Sequence, residues 1–203
     1  MKCLTAIKNI FFSIILLSML TSCSVFGPVN SQPDATYVFK VNSYPSIQKS
    51  SHGRTLYVAP VNAEATYNTT QMAYSTKPYQ VAYFAKNQWA DTPAQMLQPI
   101  LVQSLQNTHY FRVVSSIETG HYDYVLNSQL IELVQVFYAQ GSEIHLKLRA
   151  QLVSASTNRV IAVKEFSIVE RTSQRTPYGG VLATNRAIAV LMNQIARFCL
   201  QKI

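Results

Sequence analysis

A run of strict alternation past the middle of the chain is the feature that most constrains its fold. Between residues 143 and 152, apolar side chains occupy every even position and polar or charged side chains every odd one. The apolar set is Ile144, Leu146, Leu148, Ala150 and Leu152, and the polar set is Glu143, His145, Lys147, Arg149 and Gln151. A period of two held over ten residues predicts a strand in a sheet with one buried face and one wet face. Turn-forming residues at 154–158 and a second apolar run at 160–169 then predict an antiparallel hairpin.

Two helices are predicted from capping and spacing. Thr92 can cap a helix whose first residue is Pro93, and Gln95 stands three residues after the cap. Leucine, isoleucine and methionine then recur at helical spacing to about residue 107. Pro99 removes one backbone hydrogen bond, so we expect a kink or a shifted helix start. Residues 181–200 carry a broad apolar stripe that includes Cys199, which is best explained as a small buried hydrophobic residue.

The order of elements predicts the fold class. Further strands are expected at 37–41, 55–59, 71–74, 80–84, 111–114 and 122–136, and residues 61–70 are expected to form a loop. Strands, helix, strands and helix follow one another along the chain. This order predicts an α+β fold: a single domain with a largely antiparallel sheet and two main helices on one side.

The beginning of the chain predicts export and lipidation. A basic start is followed by an apolar stretch of eleven residues at 10–20, which is too short to span a bilayer comfortably. Leu20-Thr21-Ser22-Cys23 then resembles the bacterial lipoprotein box, in which small residues let a signal peptidase reach the bond before an acylated cysteine. We therefore expect residues 1–22 to be a lipoprotein signal peptide, 23–36 a lipidated linker, and 37–203 the domain. The alternative is a coincidental cysteine at the end of an ordinary signal peptide.

Lipidation at Cys23 would place the mature chain on a membrane, because several acyl chains exceed what stable anchoring requires. Ser24 follows the cysteine, and the absence of aspartate there favours sorting to the outer membrane.

Motifs of catalysis and metal binding are missing from the sequence. Three cysteines cannot build a metal cluster or a disulfide framework within the chain. The nine carboxylates are scattered, the four histidines lack ligand spacing, and no nucleophile elbow or phosphate loop occurs. We expect no enzyme, no catalytic residue, no metal and no cofactor, although an acid–base pair assembled from distant positions stays open.

The chain has a formal net charge of +8. An exported lipoprotein does not meet nucleic acid, so no nucleic-acid partner is expected despite this charge. Anionic lipid headgroups or an acidic partner protein suit the compartment better, and a solvated basic surface is the plainer explanation.

Aromatic residues crowd into one region that holds few large aliphatic residues. The candidates for contact with a partner or a lipid are Tyr74, Tyr79, Tyr83, Phe84 and Trp89, with Tyr67 just before them. Aromatic side chains with a polar edge are enriched at interfaces, which favours a partly exposed aromatic strip. Core packing is the alternative, particularly for Trp89 beside the helix start.

Several segments in order resemble one known family. They are the box ending at Cys23, Tyr37-Val38-Phe39, Leu56-Tyr57-Val58-Ala59-Pro60, Met72-Ala73-Tyr74, Trp89-Ala90-Asp91, the leucine-spaced helix, Tyr110-Phe111-Arg112-Val113-Val114, Asp123-Tyr124-Val125-Leu126, the hairpin and the last helix. Together they resemble the ABC-type transport auxiliary lipoprotein family over nearly the whole mature chain. The region before Met72 lacks the basic residue that this pattern usually has, and Pro93 and Pro99 replace ordinary helix formers.

This resemblance implies a non-enzymatic outer-membrane lipoprotein that faces the periplasm of a Gram-negative bacterium. Its partner would be the MCE-domain substrate-binding subunit of an inner-membrane ABC transporter, and it would meet membrane lipid through its anchor. Such systems move phospholipid or other hydrophobic molecules between the two membranes. The alternative is an outer-membrane assembly or structural lipoprotein that supports a β-barrel or envelope biogenesis, with a periplasmic hydrolase a further one. A homo-oligomer stays open, since no residue pattern demonstrates one.

Overall fold

The structure of the protein is a computed structural model that describes residues 35–41, 53–118 and 120–203. The predicted signal peptide, Cys23, the predicted linker up to residue 34 and residues 42–52 lie outside the described residues. The described residues form one compact unit.

Nine strands and two α-helices make up the described part of the chain. The strands are β1 (Ala35–Tyr37), β2 (Thr55–Val58), β3 (Asn62–Ala63), β4 (Gln71–Ser75), β5 (Ala82–Trp89), β6 (Val113–Ser115), β7 (Tyr124–Phe137), β8 (Ser142–Ser154) and β9 (Arg159–Arg171). The helices are α1 (Pro93–Gln106) and α2 (Pro177–Lys202), and a short 3-10 helix covers Ala65–Tyr67. The α+β class with two main helices is therefore confirmed.

The predicted hairpin forms the longest part of the sheet. Strand β8 pairs antiparallel with β7 on one side and with β9 on the other. Its burial alternates along the strand as the sequence pattern predicts, with Leu146 and Leu148 buried and Lys147 between them partly exposed. The two long ladders make the sheet largely antiparallel, whereas β2, β3 and β4 each pair in parallel with β7 over two or three residues.

Strand β7 contains a bulge that changes which residues face the helices. Leu130 lies opposite Leu148, but Glu132 lies opposite Lys147, so Ile131 is an extra residue. Before the bulge the even-numbered residues of β7 face the core, and after it the odd-numbered residues do. Val134 and Val136 consequently lie on the face away from the core.

Strand β1 is shorter than the strand predicted at 37–41. It ends at Tyr37, and residues 38–41 adopt no regular structure. In the segment predicted to be a loop at 61–70, two residues pair with β7 as β3.

Helix α1 begins as predicted from its capping residues. The hydroxyl of Thr92 accepts a hydrogen bond from the backbone N–H of Gln95, and Pro93 is the first helical residue. The helix continues through Pro99 to Gln106 without a shifted start. Both Pro99 and Gln95 are exposed, so water can satisfy the carbonyl that loses its partner.

The core lies between the helices and one face of the sheet. Leu126, Leu130 and Leu152 of the sheet and Ile188 of α2 are wholly buried in one cluster. Full burial of such a side chain contributes about 1.5–3 kcal/mol. Cys199 is also wholly buried, as its apolar neighbours predict, and burial raises the pKa of its thiol to about 12.

Candidate functional site

The face of the sheet opposite the helices carries an ordered row of charges. Lys147 pairs with Glu132 across the β7–β8 ladder at 3.4 Å, and Arg149 pairs with Glu165 across the β8–β9 ladder at 3.0 Å. All four side chains are partly exposed, so each pair contributes no more than about 1 kcal/mol. This row is the wet face that the alternation predicts.

An apolar cleft of about 460 Å³ interrupts this face at one end of the sheet. We call it the outer cleft. Its floor is Val134 and Val136, which the bulge in β7 turns away from the core. Tyr67, Val81 and the carboxylate of Glu132 line it as well, and the turn between β4 and β5 forms its rim. Its volume lies within the range of small-molecule pockets, and its apolar floor suits a hydrophobic group.

Tyr67 lines the outer cleft as a neutral phenol. Burial raises its pKa to about 12, and the carboxylate of Glu132 and the ring of Tyr83 act in the same direction. The phenol therefore stays protonated at any physiological pH, and the cleft gains no negative charge from it.

The rim of the outer cleft presents two exposed tyrosines and a lysine. Tyr79 is fully exposed and has a backbone φ of 63°, a left-handed conformation that is uncommon for residues other than glycine. Tyr138 follows the end of β7 and is 46% exposed. Lys77 precedes Pro78 in the same turn as Tyr79 and is also exposed.

The predicted aromatic strip is divided among four places. Tyr79 lies at the rim of the outer cleft, and the hydroxyl of Tyr83 donates a hydrogen bond to the carbonyl of Thr66 at 3.0 Å, beside the 3-10 helix. Trp89 is 4% exposed and packs edge-on against Phe39, with ring centroids 4.9 Å apart. The structure thus places Trp89 in the core, the alternative that its position beside the helix start already suggested.

Tyr74 and Phe84 form a separate cluster with Phe137. The centroids of Tyr74 and Phe84 are 4.6 Å apart, and each ring meets Phe137 edge-on at about 6 Å. The guanidinium of Arg175 lies over the Phe137 ring at 5.5 Å. This cluster is half-buried and ends in an exposed cation.

A second cleft, of about 870 Å³, opens at the opposite end of the same face. The rings of Tyr57 and Tyr122 stack in it with centroids 5.5 Å apart. Glu118, His121 and Asn158 also line it, so it is more polar than the outer cleft. A hydrophobic group is less well matched here.

The described residues contain no group of three or more His, Cys, Asp or Glu side chains that could hold a metal ion. His145 is flanked by the hydroxyl of Tyr138 at 3.5 Å and by Glu143 at 3.8 Å on the wet face.

No helix in the described part of the chain is both long enough and apolar enough to cross a membrane.

The comparisons with known proteins agree with the order of motifs. The family model of the ABC-type transport auxiliary lipoprotein component matches residues 37–196, well over half of the chain. The chain belongs to this family. No match to a curated protein was found.

Solved structures show that the fold of this auxiliary lipoprotein recurs. It is similar to protein XCC0632 from Xanthomonas campestris, with a TM-score of 0.76 and 18% identity over 82% of this chain and 95% of that one. It is also similar to an uncharacterised protein, with a TM-score of 0.66 and 19% identity over 83% of this chain and 99% of that one. At these identities the likeness concerns the fold alone.

Family membership makes this auxiliary lipoprotein a lipid-anchored protein of the cell envelope. The residue that carries the anchor is predicted to be Cys23, which lies outside the described residues.

Sequence reasoning did not single out the floor of the outer cleft. Val134 and Val136 fall in a long β-rich segment, and only the bulge at Ile131 places them on the outer face. Tyr138 was missed as well, although it ends the same segment with an exposed ring. Residues 132–138 show no alternation of polar and apolar side chains, because Gln135 faces the core and the two valines face outward, so the sequence carries no periodic signal for this floor.

Proposed function

We propose that this auxiliary lipoprotein is a non-enzymatic component of an MCE-type ABC transport system. The system would move phospholipid or other hydrophobic molecules between the inner and outer membranes. The lipoprotein would be anchored in the outer membrane through Cys23 and would face the periplasm. ATP hydrolysis would take place in other subunits of the same transporter.

The family match over residues 37–196 is the observation that carries this proposal. It assigns a role in transport to the folded domain itself and not only to the anchor. The outer cleft adds support, because its valine floor and neutral Tyr67 suit a hydrophobic group, while Glu132 and Lys77 line the same cleft and can meet a polar end.

The test is in-cell crosslinking of a C-terminally tagged protein, followed by mass spectrometry of the captured partners. We expect an MCE-domain subunit, together with its permease and ATPase. The Cys23→Ala variant is the matched control, because it keeps the domain and removes the predicted acylation site. Capture that depends on Cys23 would support both the partner and the anchor.

Capture of an outer-membrane β-barrel or its assembly machinery, without transporter subunits, would contradict the proposal. It would favour the assembly or structural lipoprotein that the sequence leaves as the alternative.

A further inference from the structure

Three connections of the chain lie side by side at one end of the sheet. The ladder registers show this, because Ser75 lies opposite Val136, Phe137 opposite Ser142, and Glu143 opposite Arg171. The connections that follow these strands are residues 76–81, 138–141 and 172–176. We call them together the loop end.

The loop end is cationic and contains no acidic residue. None of its three connections holds an aspartate or glutamate, while Lys77 and Arg175 each add a positive charge. Beside these connections, Arg171 at the end of β9 lies 3.4 Å from Glu143, so this pair adds no net charge. At the opposite end of the sheet, Arg54, Arg112 and Arg159 lie among Glu118 and Asp123, so charges of both signs are mixed there.

The loop end also exposes aromatic and aliphatic side chains. Tyr79 is fully exposed, Tyr138 is 46% exposed and Val81 is 42% exposed. The left-handed backbone of Tyr79 costs free energy, and a fully exposed ring returns no packing energy to the fold. Exposed tyrosines beside lysine and arginine are typical of protein surfaces that sit at the headgroup level of a bilayer.

Strand β1 starts opposite Asn87, away from the loop end, but its direction leads back toward that end. Strand β5 begins at Ala82 beside the loop end and runs away from it, and β1 runs parallel to β5. The N-terminal end of β1 at Ala35 therefore points toward the loop end. Eleven residues separate Cys23 from Ala35. They can span up to about 37 Å, enough for an anchor at Cys23 to enter a membrane that the loop end touches.

We propose that the loop end binds the surface of a lipid bilayer through anionic headgroups. Lys77 and Arg175 would contact headgroup phosphates, and the rings of Tyr79 and Tyr138 would lie among the headgroups. This inference rests on the proposed function, because it names the surface on which the anchored domain works. It also makes the outer cleft open beside the membrane, since Lys77 and Tyr79 belong to its rim.

The test uses the complete lipoprotein, extracted from membranes and reconstituted into phosphatidylglycerol vesicles. Tyr79→Trp reports on the loop end, and Ile117→Trp is the matched control, because Ile117 is 65% exposed at the opposite end. Buried Trp89 contributes background fluorescence, which is measured in the protein without the added tryptophan and subtracted. We expect a headgroup spin-labelled lipid to quench residue 79 and to leave residue 117 unquenched.

Charge is tested with a second pair of variants. Lys77→Gln in the Tyr79→Trp protein is expected to lower the headgroup-contact equilibrium about fivefold, and added salt should act in the same direction. Arg159→Gln is the matched control, since Arg159 is exposed at the far end of β9 and should change nothing.

Flotation with the vesicles separates the two proposals. A protein that floats but shows equal or no quenching at residues 79 and 117 overturns the membrane contact and leaves the anchor intact. Failure to float contradicts both. A photo-crosslinker at position 79 that labels a protein in cells, and no lipid, would show that the loop end binds an acidic protein partner. That result would overturn the inference.

Discussion

The side-chain amide of Gln135 donates a hydrogen bond to the backbone carbonyl of Thr176 at 3.1 Å. The same nitrogen contacts the hydroxyl of Ser142 at 2.9 Å. Thr176 caps helix α2, because its hydroxyl accepts a hydrogen bond from the backbone N–H of Gly179 at 3.1 Å. The buried Gln135 of β7 thus connects the sheet to the start of this helix. The loop end is held in place by this network, because its third connection leads directly into the cap.

Gly180 has no side chain, and the Gln135 side chain occupies the space where a Cβ would lie. A Cβ at position 180 would overlap the Gln135 side-chain oxygen, so Gly180→Ala must displace the amide and disturb both of its hydrogen bonds. We expect a loss of about 1–3 kcal/mol in the free energy of unfolding, measured by urea denaturation. In a Gln135→Ala background the same substitution should cost much less. Equal costs in the two backgrounds would refute this account.

Trp89→Ala should destabilise the fold strongly. The ring is 4% exposed and packs against Phe39, so its removal leaves a large cavity. We expect a loss of about 3–5 kcal/mol in chemical denaturation. Tyr79→Ala is the control, with a change within about 0.5 kcal/mol because that ring is fully exposed. A mild effect at residue 89 would argue against the core position.

Asp123 should stabilise the start of β7 only above acidic pH. Its carboxylate accepts from the backbone N–H of Thr55 at 2.7 Å and from the Thr55 hydroxyl at 3.0 Å, which holds its pKa below the usual 3.8. A lowered folded pKa means that the stabilisation is present above the unfolded pKa and is lost as pH falls through the folded one. Asp123→Asn should therefore lower stability at pH 7 by less than about 1 kcal/mol, because water screens the group.

Denaturation curves of the wild type and Asp123→Asn, measured from pH 7 downward, test this. The two curves should converge as the pH drops below about 4. A difference that stays constant with pH would show that the carboxylate charge is not involved.

Cys199 should resist alkylation in the native protein. Its side chain is wholly buried and its thiol pKa is about 12, so almost no thiolate meets the reagent. Iodoacetamide labelling followed by intact mass should modify it only after denaturation. Rapid labelling under native conditions would mean that the C-terminal part of α2 opens easily.

Cys23→Ala should leave an uncleaved or unanchored precursor without unfolding the domain, because a linker separates the predicted acylation site from the fold. Palmitate labelling and a thermal melt measure the two effects. A variant that still incorporates palmitate would disprove the assignment of the anchor to Cys23.

Local patterns predicted the elements well. The Thr92 cap, the hairpin of β8 and β9 and the buried Cys199 all follow from capping residues and side-chain periodicity within one or two neighbouring elements. The strand predicted at 37–41 was wrong beyond Tyr37. Apolar residues there meet the core from irregular backbone, as Phe39 does against Trp89.

Pairing between distant segments could not be predicted. Strands β2, β3 and β4 lie one after another along the same edge of β7, and periodicity within a strand carries no information about its neighbour. The aromatic strip divided for a related reason. Tyr83 and Phe84 are adjacent in β5 and so point to opposite faces, which places one beside the outer cleft and the other with Phe137.

Because of the extra residue at Ile131, the number of residues in β7 determines which side chains face the helices and which face outward. Removing Ile131 itself would leave every other residue of β7 on its present face, but removing one residue after it, such as Leu133, would turn Val134 and Val136 toward the helices and bring Gln135 to the outer face. The valine floor and the tie to Thr176 would be lost together. Insertions and deletions should therefore be tolerated in the turns of this lipoprotein and, apart from the loss of Ile131, excluded from residues 124–137, even where individual side chains can vary.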